Sequence, residues 1–263
     1  MPPWFFYTFA GMIGAVLGSF ANVCIVRMPR GRSIVRPSSH CPHCGHRLRW
    51  KENIPILSFI LLQGRCRGCG RKISVRYPMV ELICAALSML TWWHFRHPLP
   101  YFIYLCLFVI PLVIITFIDL KHLIIPDEIS ISGIFVGAGA HIFLAGPGHR
   151  EAAALDSLLG ALAGSLALFL VALVYEKLKK QEGLGGGDIK LIAMLGAFFG
   201  WKAALFMLLF SSILGSIVGL LLIVILRKDM KYAMPFGPFL VAAGFVQLFV
   251  GERAISWYLN LFM

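Results

Sequence analysis

Asp119 and Asp188 are the side chains whose type and setting best suit chemistry. Asp188 belongs to the run Gly183-Leu184-Gly185-Gly186-Gly187-Asp188-Ile189-Lys190, directly behind three glycines and directly ahead of an apolar, helix-like segment. Consecutive glycines reach backbone conformations closed to other residues and leave no side chain in the way of an incoming peptide. Read alone, the octet is equally a flexible turn with Asp188 as a helix cap. Two carboxylates at one depth on separate helices are what an aspartyl protease needs. One must be ionised to activate water while the other keeps its proton to polarise the scissile carbonyl.

A second constellation is Cys41-x-x-Cys44 and Cys66-x-x-Cys69, each pair followed by a glycine, Gly45 and Gly70. Four thiolates close a tetrahedral Zn²⁺ shell and leave no position for water, so the expected site is structural. It would staple a polar segment too small to build its own core. Disulfides are the competing reading, disfavoured if this segment lies in a reducing compartment. His40, His43 and His46 surround the first knuckle and are expected to pack around the thiolates or face solvent. Cys24, Cys84 and Cys106 lie in apolar stretches and are expected to be small buried hydrophobes.

The elements that must position these groups are membrane helices. The chain has 263 residues, of which 59% are hydrophobic, and its mean hydropathy is +0.83. Such apolar runs predict an all-α polytopic membrane protein. About eight transmembrane helices are expected, at 4–26, 77–95, 101–118, 129–145, 155–175, 191–201, 203–226 and from Pro235 onward. The first lacks a basic n-region and an A-x-A site, so it reads as a retained helix rather than a signal peptide. The stretch 119–128, interrupted by Pro126, reads as a loop or helix boundary that puts Asp119 at the cytoplasmic end of the preceding helix, with Asp127 a candidate cap for the helix that follows. The segment 191–201 is too short for a full span, which would recess Asp188 below the membrane surface. The expected domains are the first helix at 1–26, a small cytoplasmic zinc-ribbon-like domain at 27–76, and a transmembrane peptidase domain at 77–263.

Charge sets the orientation. The net charge is +12, and half of the Lys and Arg residues fall between Arg27 and Arg76 with one acid, Glu52. With the N-terminus outside, the inward loops 27–76, 119–128, 176–190 and 227–231 hold 20 of the 24 basic residues. That bias obeys the positive-inside rule and puts both aspartates at the cytoplasmic face, with anionic lipid as the neighbour of the basic loop. Nucleic acid is not expected as a partner, because no recognition motif accompanies the basic residues.

Gly185-Gly186-Gly187-Asp188, Asp119 and Ile125-Pro126-Asp127 together resemble the type IV prepilin leader peptidase and N-methyltransferase family of G-x-G-D aspartyl membrane proteases. Pro235-Phe236-Gly237-Pro238 fits the same family, with no catalytic role assigned to it. So do Gly18-Ser19-Phe20-x-Asn22-Val23, Arg27-x-Pro29, Asn53-Ile54-Pro55 and Ile73-Ser74-x-Arg76-Tyr77-Pro78 with Glu81. From the residues alone, Gly18 and Ser19 are also helix-packing positions and Asn22 an interhelical hydrogen-bonder. The resemblance implies that Asp119 and Asp188 are the catalytic pair in a bacterial inner membrane. It implies prepilin or type II secretion pseudopilin substrates, held against Gly185, Gly186 and Gly187. It also implies methylation of the new N-terminal amine from S-adenosylmethionine. Glu81, the one acid near the start of its helix, is placed either to attract that amine or to form a salt bridge with a nearby arginine. A glycine that some relatives carry just past this glutamate is replaced here by Cys84, Ala85 and Ala86. The rival from another class is a non-catalytic scaffold or transporter with a structural zinc domain. A transporter would more naturally bury ionisable residues at mid-bilayer and show inverted repeats.

Overall fold

A computed structural model describes residues 2–179, 185–226, 234–251 and 253–256. Gly183, Leu184 and the basic loop 227–231 lie outside the described residues. The chain divides into two compact units, Met1–Phe117 and Ile118–Met263.

In the first unit, α1 (Pro3–Arg27) starts with a proline in its first turn, where the missing N–H costs nothing. It packs along α3 (Arg76–Phe95). Small residues permit the approach: a Cβ on Gly14 would lie 2.8 Å from Ala85 Cα, and one on Gly18 2.8 Å from Glu81 Cα. Asn22 donates to the Tyr77 carbonyl (3.0 Å) and Ser88 to the Ala10 carbonyl (2.6 Å), tying the helices at both ends. Both expectations for the opening motif therefore have a structural counterpart. Between these helices the segment carries α2 (Leu57–Leu61) and two isolated bridges, His40 with Arg47 and Arg65 with Lys72. Arg96, with φ 49°, ends α3 in a left-handed turn. Then α4 (Pro98–Tyr104), a π-helical turn (Leu105–Val109) and α5 (Ile110–His122) run on as one apolar helix, whose end from Ile118 onward, Asp119 included, belongs to the second unit.

The second unit holds α6 (Asp127–Leu144), α7 (Arg150–Lys179), α8 (Gly186–Leu226) and α9 (Gly237–Val246). α8 is two helices, because Gly200 breaks it with φ 81° and ψ 179°. A Cβ on Gly164 of α7 would lie 2.9 Å from Ile192 Cγ1 and 3.4 Å from Ala204 Cβ. In a straight helix those two residues would be about 18 Å apart. The chain therefore reverses at Gly200, and both arms of the hairpin rest on α7. Asp156 accepts from the Trp201 N–H (3.4 Å) and pairs with His141 (3.4 Å), whose Nδ1 lies 2.9 Å from the Phe198 carbonyl.

Among the described residues, five helices are long and apolar enough to cross a membrane: Trp4–Arg30, Pro98–His122, Asp127–Leu144, Pro147–Leu178 and Gly186–Ile225. The all-α membrane class is thus present. Several boundaries move. The helix expected at 101–118 runs on to His122, so Asp119 lies in its last turn and 119–122 is helix end rather than loop. Lys121 and His122 are tolerated there because cations complement the negative end of a helix. The turn comes at Leu123, with φ 55°, whose N–H returns to the Asp119 carbonyl at 2.9 Å. The short segment expected at 191–201 begins at Gly186 and stops at the Gly200 break. Cys24 and Cys84 are buried, but Cys106 is exposed, on the outer side of the π-helical turn.

Candidate active site and metal centre

Asp119 projects from the last turn of α5 and is 5% exposed. Its Oδ2 is fully buried and has no hydrogen-bond partner among the described residues. The Gly237 N–H, at the start of α9, is directed at this carboxyl. Asp188 lies in the first turn of α8 and is 8% exposed, with its N–H donating to the Gly185 carbonyl at 3.1 Å. It neither begins nor precedes that helix, which starts at Gly186.

The two carboxyls belong to one site. They are near enough for the charge on Asp119 to act on Asp188. Ile125 packs under both halves: a Cβ on Gly187 would lie 3.0 Å from Ile125 Cβ, and one on Gly237 3.2 Å from Ile125 Cδ1. Two residues on, Asp127 does not cap α6. The cap position is Pro126, and Asp127 instead takes Lys190 at 2.7 Å, clamping the turn to the start of α8. Gly185 and Gly186 are exposed, with open space around the position a Gly186 side chain would occupy. Backbone of this kind, next to two carboxyls, is suited to pairing with an extended peptide.

The four knuckle cysteines converge, with all Sγ atoms within 4.8 Å of one another. Cys41 to Cys69 and Cys44 to Cys66 are each 4.0 Å, twice the length of a disulfide bond and near the ~3.8 Å between thiolates on tetrahedral zinc. The knuckles share one hydrogen-bond pattern. Cys41 N–H donates to His46 O and Gly45 N–H to Cys41 O, as Cys66 N–H does to Arg71 O and Gly70 N–H to Cys66 O. Gly45 (φ 70°) and Gly70 (φ 69°) take the left-handed turn each loop needs. Donation from the His43 N–H helps hold the Cys41 thiol down at about 7. The donor set fits zinc. Among the histidines, His46 Nε2 bonds Glu52 (3.0 Å) and His43 accepts from Arg71 (2.8 Å). Glu52, the one acid of the basic segment, is a buried tie. It accepts the Arg49 N–H (3.0 Å), faces Arg67 from the second knuckle (3.6 Å), and is held below the usual carboxylate range by that N–H and by His46.

Glu81 lies in the first unit. It is 8% exposed on α3, and its Oε2 accepts the Ile56 N–H at 2.8 Å. Ile56 occupies a γ-turn, with φ 63° and ψ −53° and the Leu57 N–H returning to the Pro55 carbonyl at 2.6 Å. That conformation is rare and strained for a β-branched residue, and the carboxylate is what anchors it. Ser19, a hydrogen-bond donor to Glu81, and Pro55, next to Ile56, line a pocket of about 360 Å³. Phe20 and Val23 supply its apolar wall, and Arg27 and Asn53 polar groups.

Comparison with known proteins matches residues 12–95 to the Bacterial Peptidase A24 N-terminal domain and residues 106–220 to the Type IV leader peptidase family. A protein of Pseudomonas putida named prepilin leader peptidase/N-methyltransferase is 35% identical, over 99% of this chain and 96% of its own length. The chain belongs to the prepilin leader peptidase/N-methyltransferase family. A relative of that name from Aeromonas hydrophila is 35% identical over the same shares, and one from Myxococcus xanthus 44% over 83% of this chain and 63% of its own length. No solved structure matches significantly. Within the leader peptidase family match fall Asp119, Ile125 and Asp188, and within the N-terminal match the four cysteines and Glu81. Gly237 lies beyond both. Sequence reasoning missed Ile125 as the shared floor, the Lys190–Asp127 clamp and the buried Glu52. Of these, Glu52 was signalled as the lone acid among twelve basic residues.

Proposed function

We propose that this chain is a membrane aspartyl endopeptidase and N-methyltransferase. It removes the leader of type IV prepilins or type II secretion pseudopilins at the cytoplasmic face, then methylates the new N-terminal amine. The observation that carries the peptidase reading is the single site in which Ile125 floors both Gly187 and Gly237, beside the buried Asp119 and Asp188.

In this reading the substrate strand lies along Gly185, Gly186 and Gly187, bringing its scissile carbonyl to the two carboxyls. Crowding keeps one proton on the pair. The ionised member takes a proton from water, whose oxygen bonds the carbonyl carbon, while the protonated member donates to the carbonyl oxygen. Collapse breaks the C–N bond: the proton taken from water passes to the leaving amine, and one hydroxyl of the intermediate returns its proton to the member that donated it as the carbonyl re-forms. The buried, unpartnered Asp119 Oδ2 supports a place for the water or carbonyl in this step. Asp119→Asn and Asp188→Asn should each abolish leader cleavage while the protein still inserts, and cleavage retained by either refutes the pair.

The pocket beside Ser19 fits S-adenosylmethionine. Phe20 and Val23 offer an apolar face for the base, Asn53 suits the ribose, and Arg27 suits the carboxylate. When bound, that group supplies an electrophilic methyl. Glu81, behind Ser19, would attract the substrate ammonium and take its proton. The four cysteines would hold one structural Zn²⁺.

The domain plan is 1–26, 27–76 and 77–263, with eight crossings and the basic segment against anionic lipid in a bacterial inner membrane. From Asp188 to Gly200 is about 18 Å of helix, well short of a ~30 Å hydrocarbon core. If Gly200 turns at the outer surface, beside Trp201 and Lys202, Asp188 sits recessed below the cytoplasmic one.

A further inference from the structure

Gly237 begins α9 in the run Pro235-Phe236-Gly237-Pro238, which the account so far leaves without a role. Its backbone is not in the left-handed region, so the turn itself does not demand glycine. The neighbours do. A side chain there would run into Asp119 Oδ2, 3.2 Å from Asp119 Cγ and 3.2 Å from Ile125 Cδ1. The atom it would strike is the buried oxygen that has no hydrogen-bond partner among the described residues. The N–H of the same residue is directed at that carboxyl. It is one of the free donors at the positive end of α9. Pro238 follows inside the first turn, where the donor it lacks is not missed.

The turn is held from behind. Phe236 and Phe239 cover Gly215 of α8, with ring carbons 3.7 Å and 3.5 Å from the position of an added Cβ, and Met234 Cε lies 3.6 Å from the corresponding position on Gly219. One turn of α8 thus presents two bare positions to the aromatic side of this segment. The donor end of α9 is fixed between α8 and the carboxyl.

We propose that Gly237 is a positioning residue for the peptidase reaction: its bare backbone gives the Asp119 carboxyl both its clearance and its directed donor, so that the buried Oδ2 keeps its accepting capacity for substrate or water. The proposal rests on Asp119 and Asp188 being the catalytic pair. Asp188 is the charged group facing Asp119 from α8, and Lys190 is engaged by Asp127.

The test is leader cleavage by purified, full-length Gly237→Ala across a pH series, beside Asp119→Asn and the double variant Gly237→Ala/Ile125→Ala. Displacing the carboxyl should lower kcat by about 100-fold with KM little changed. The pH–rate profile should also change shape, because one carboxyl of the pair has lost a donor. A reduced folded fraction would scale every point by the same factor and leave the shape intact. Ile125→Ala should not rescue, since the collision with Asp119 remains. A profile that superimposes on the wild type after scaling, or rescue by Ile125→Ala, overturns the proposal and leaves only packing. If Gly237→Ala does not accumulate in membranes, Phe236→Ala carries the same prediction for profile shape, because it keeps Gly237 bare and removes an anchor of the turn. Cleavage by Asp119→Asn would sink the pair itself. Loss there with an unchanged Gly237→Ala profile would sink this inference alone.

Discussion

An unpartnered buried oxygen costs a fold about 1–3 kcal/mol, so Asp119 Oδ2 is a liability unless something uses it. That cost yields a stability prediction distinct from activity. Asp119→Ala should melt no lower than the wild type in detergent, because removing a buried carboxyl with an unpartnered oxygen relieves as much as it loses. A marked drop would make Asp119 a structural residue. Glu81 is the contrasting case, since its carboxylate anchors the strained turn at Ile56. Glu81→Gln keeps an oxygen that can accept the Ile56 N–H but cannot take a proton from an amine. It should cleave leader normally and transfer little labelled methyl to the cleaved product. Equal loss of both activities would reduce Glu81 to an anchor.

At the scale of elements, the site depends on helix ends held by bare backbone. α7 presents Gly160 and Gly164 to both arms of the α8 hairpin, and a Cβ on Gly160 would lie 2.6 Å from Gly200 C. Gly160→Leu should therefore force α7 and α8 apart, lowering the melting temperature and cleavage together. An unchanged melting temperature would mean the contact yields freely. Much of this scheme was legible in the sequence. The lack of charge in 203–226, the shortness of 191–201 and the basic loops on either side of them required a helical pair there, and the Gly200 reversal supplies it. The extension of α5 past Asp119 to His122 was not legible, because Lys121 and His122 look like loop residues until the helix terminus beneath them is known. Nor was the role of Gly237, which comes from a carboxyl 118 residues away in the chain. Spacing reports neighbours on one helix and is silent about contacts between helices distant in sequence.

For the whole molecule, the chain forms two compact units, and the two family matches fall largely on one unit each. The knuckle segment has few buried side chains of its own: Cys41, Cys66 and Glu52 are buried, and the other side chains of 27–76 are at least partly exposed. A metal would then supply the folding energy that a core cannot. Metal analysis should find one Zn²⁺ per chain, lost in Cys41→Ser along with protease resistance of the 27–76 segment. Zinc-free protein with that segment intact would contradict the assignment.

The central claim is that Asp119 and Asp188 act as one unit, and the most direct measurement is a double-mutant cycle on leader cleavage. Groups that act together are strongly non-additive, so removing the second costs little once the first is gone. Asp119→Asn/Asp188→Asn should cleave no more slowly than either single variant, all three folded and zinc-loaded. Residual rates in the singles that fall further, multiplicatively, in the double would contradict it.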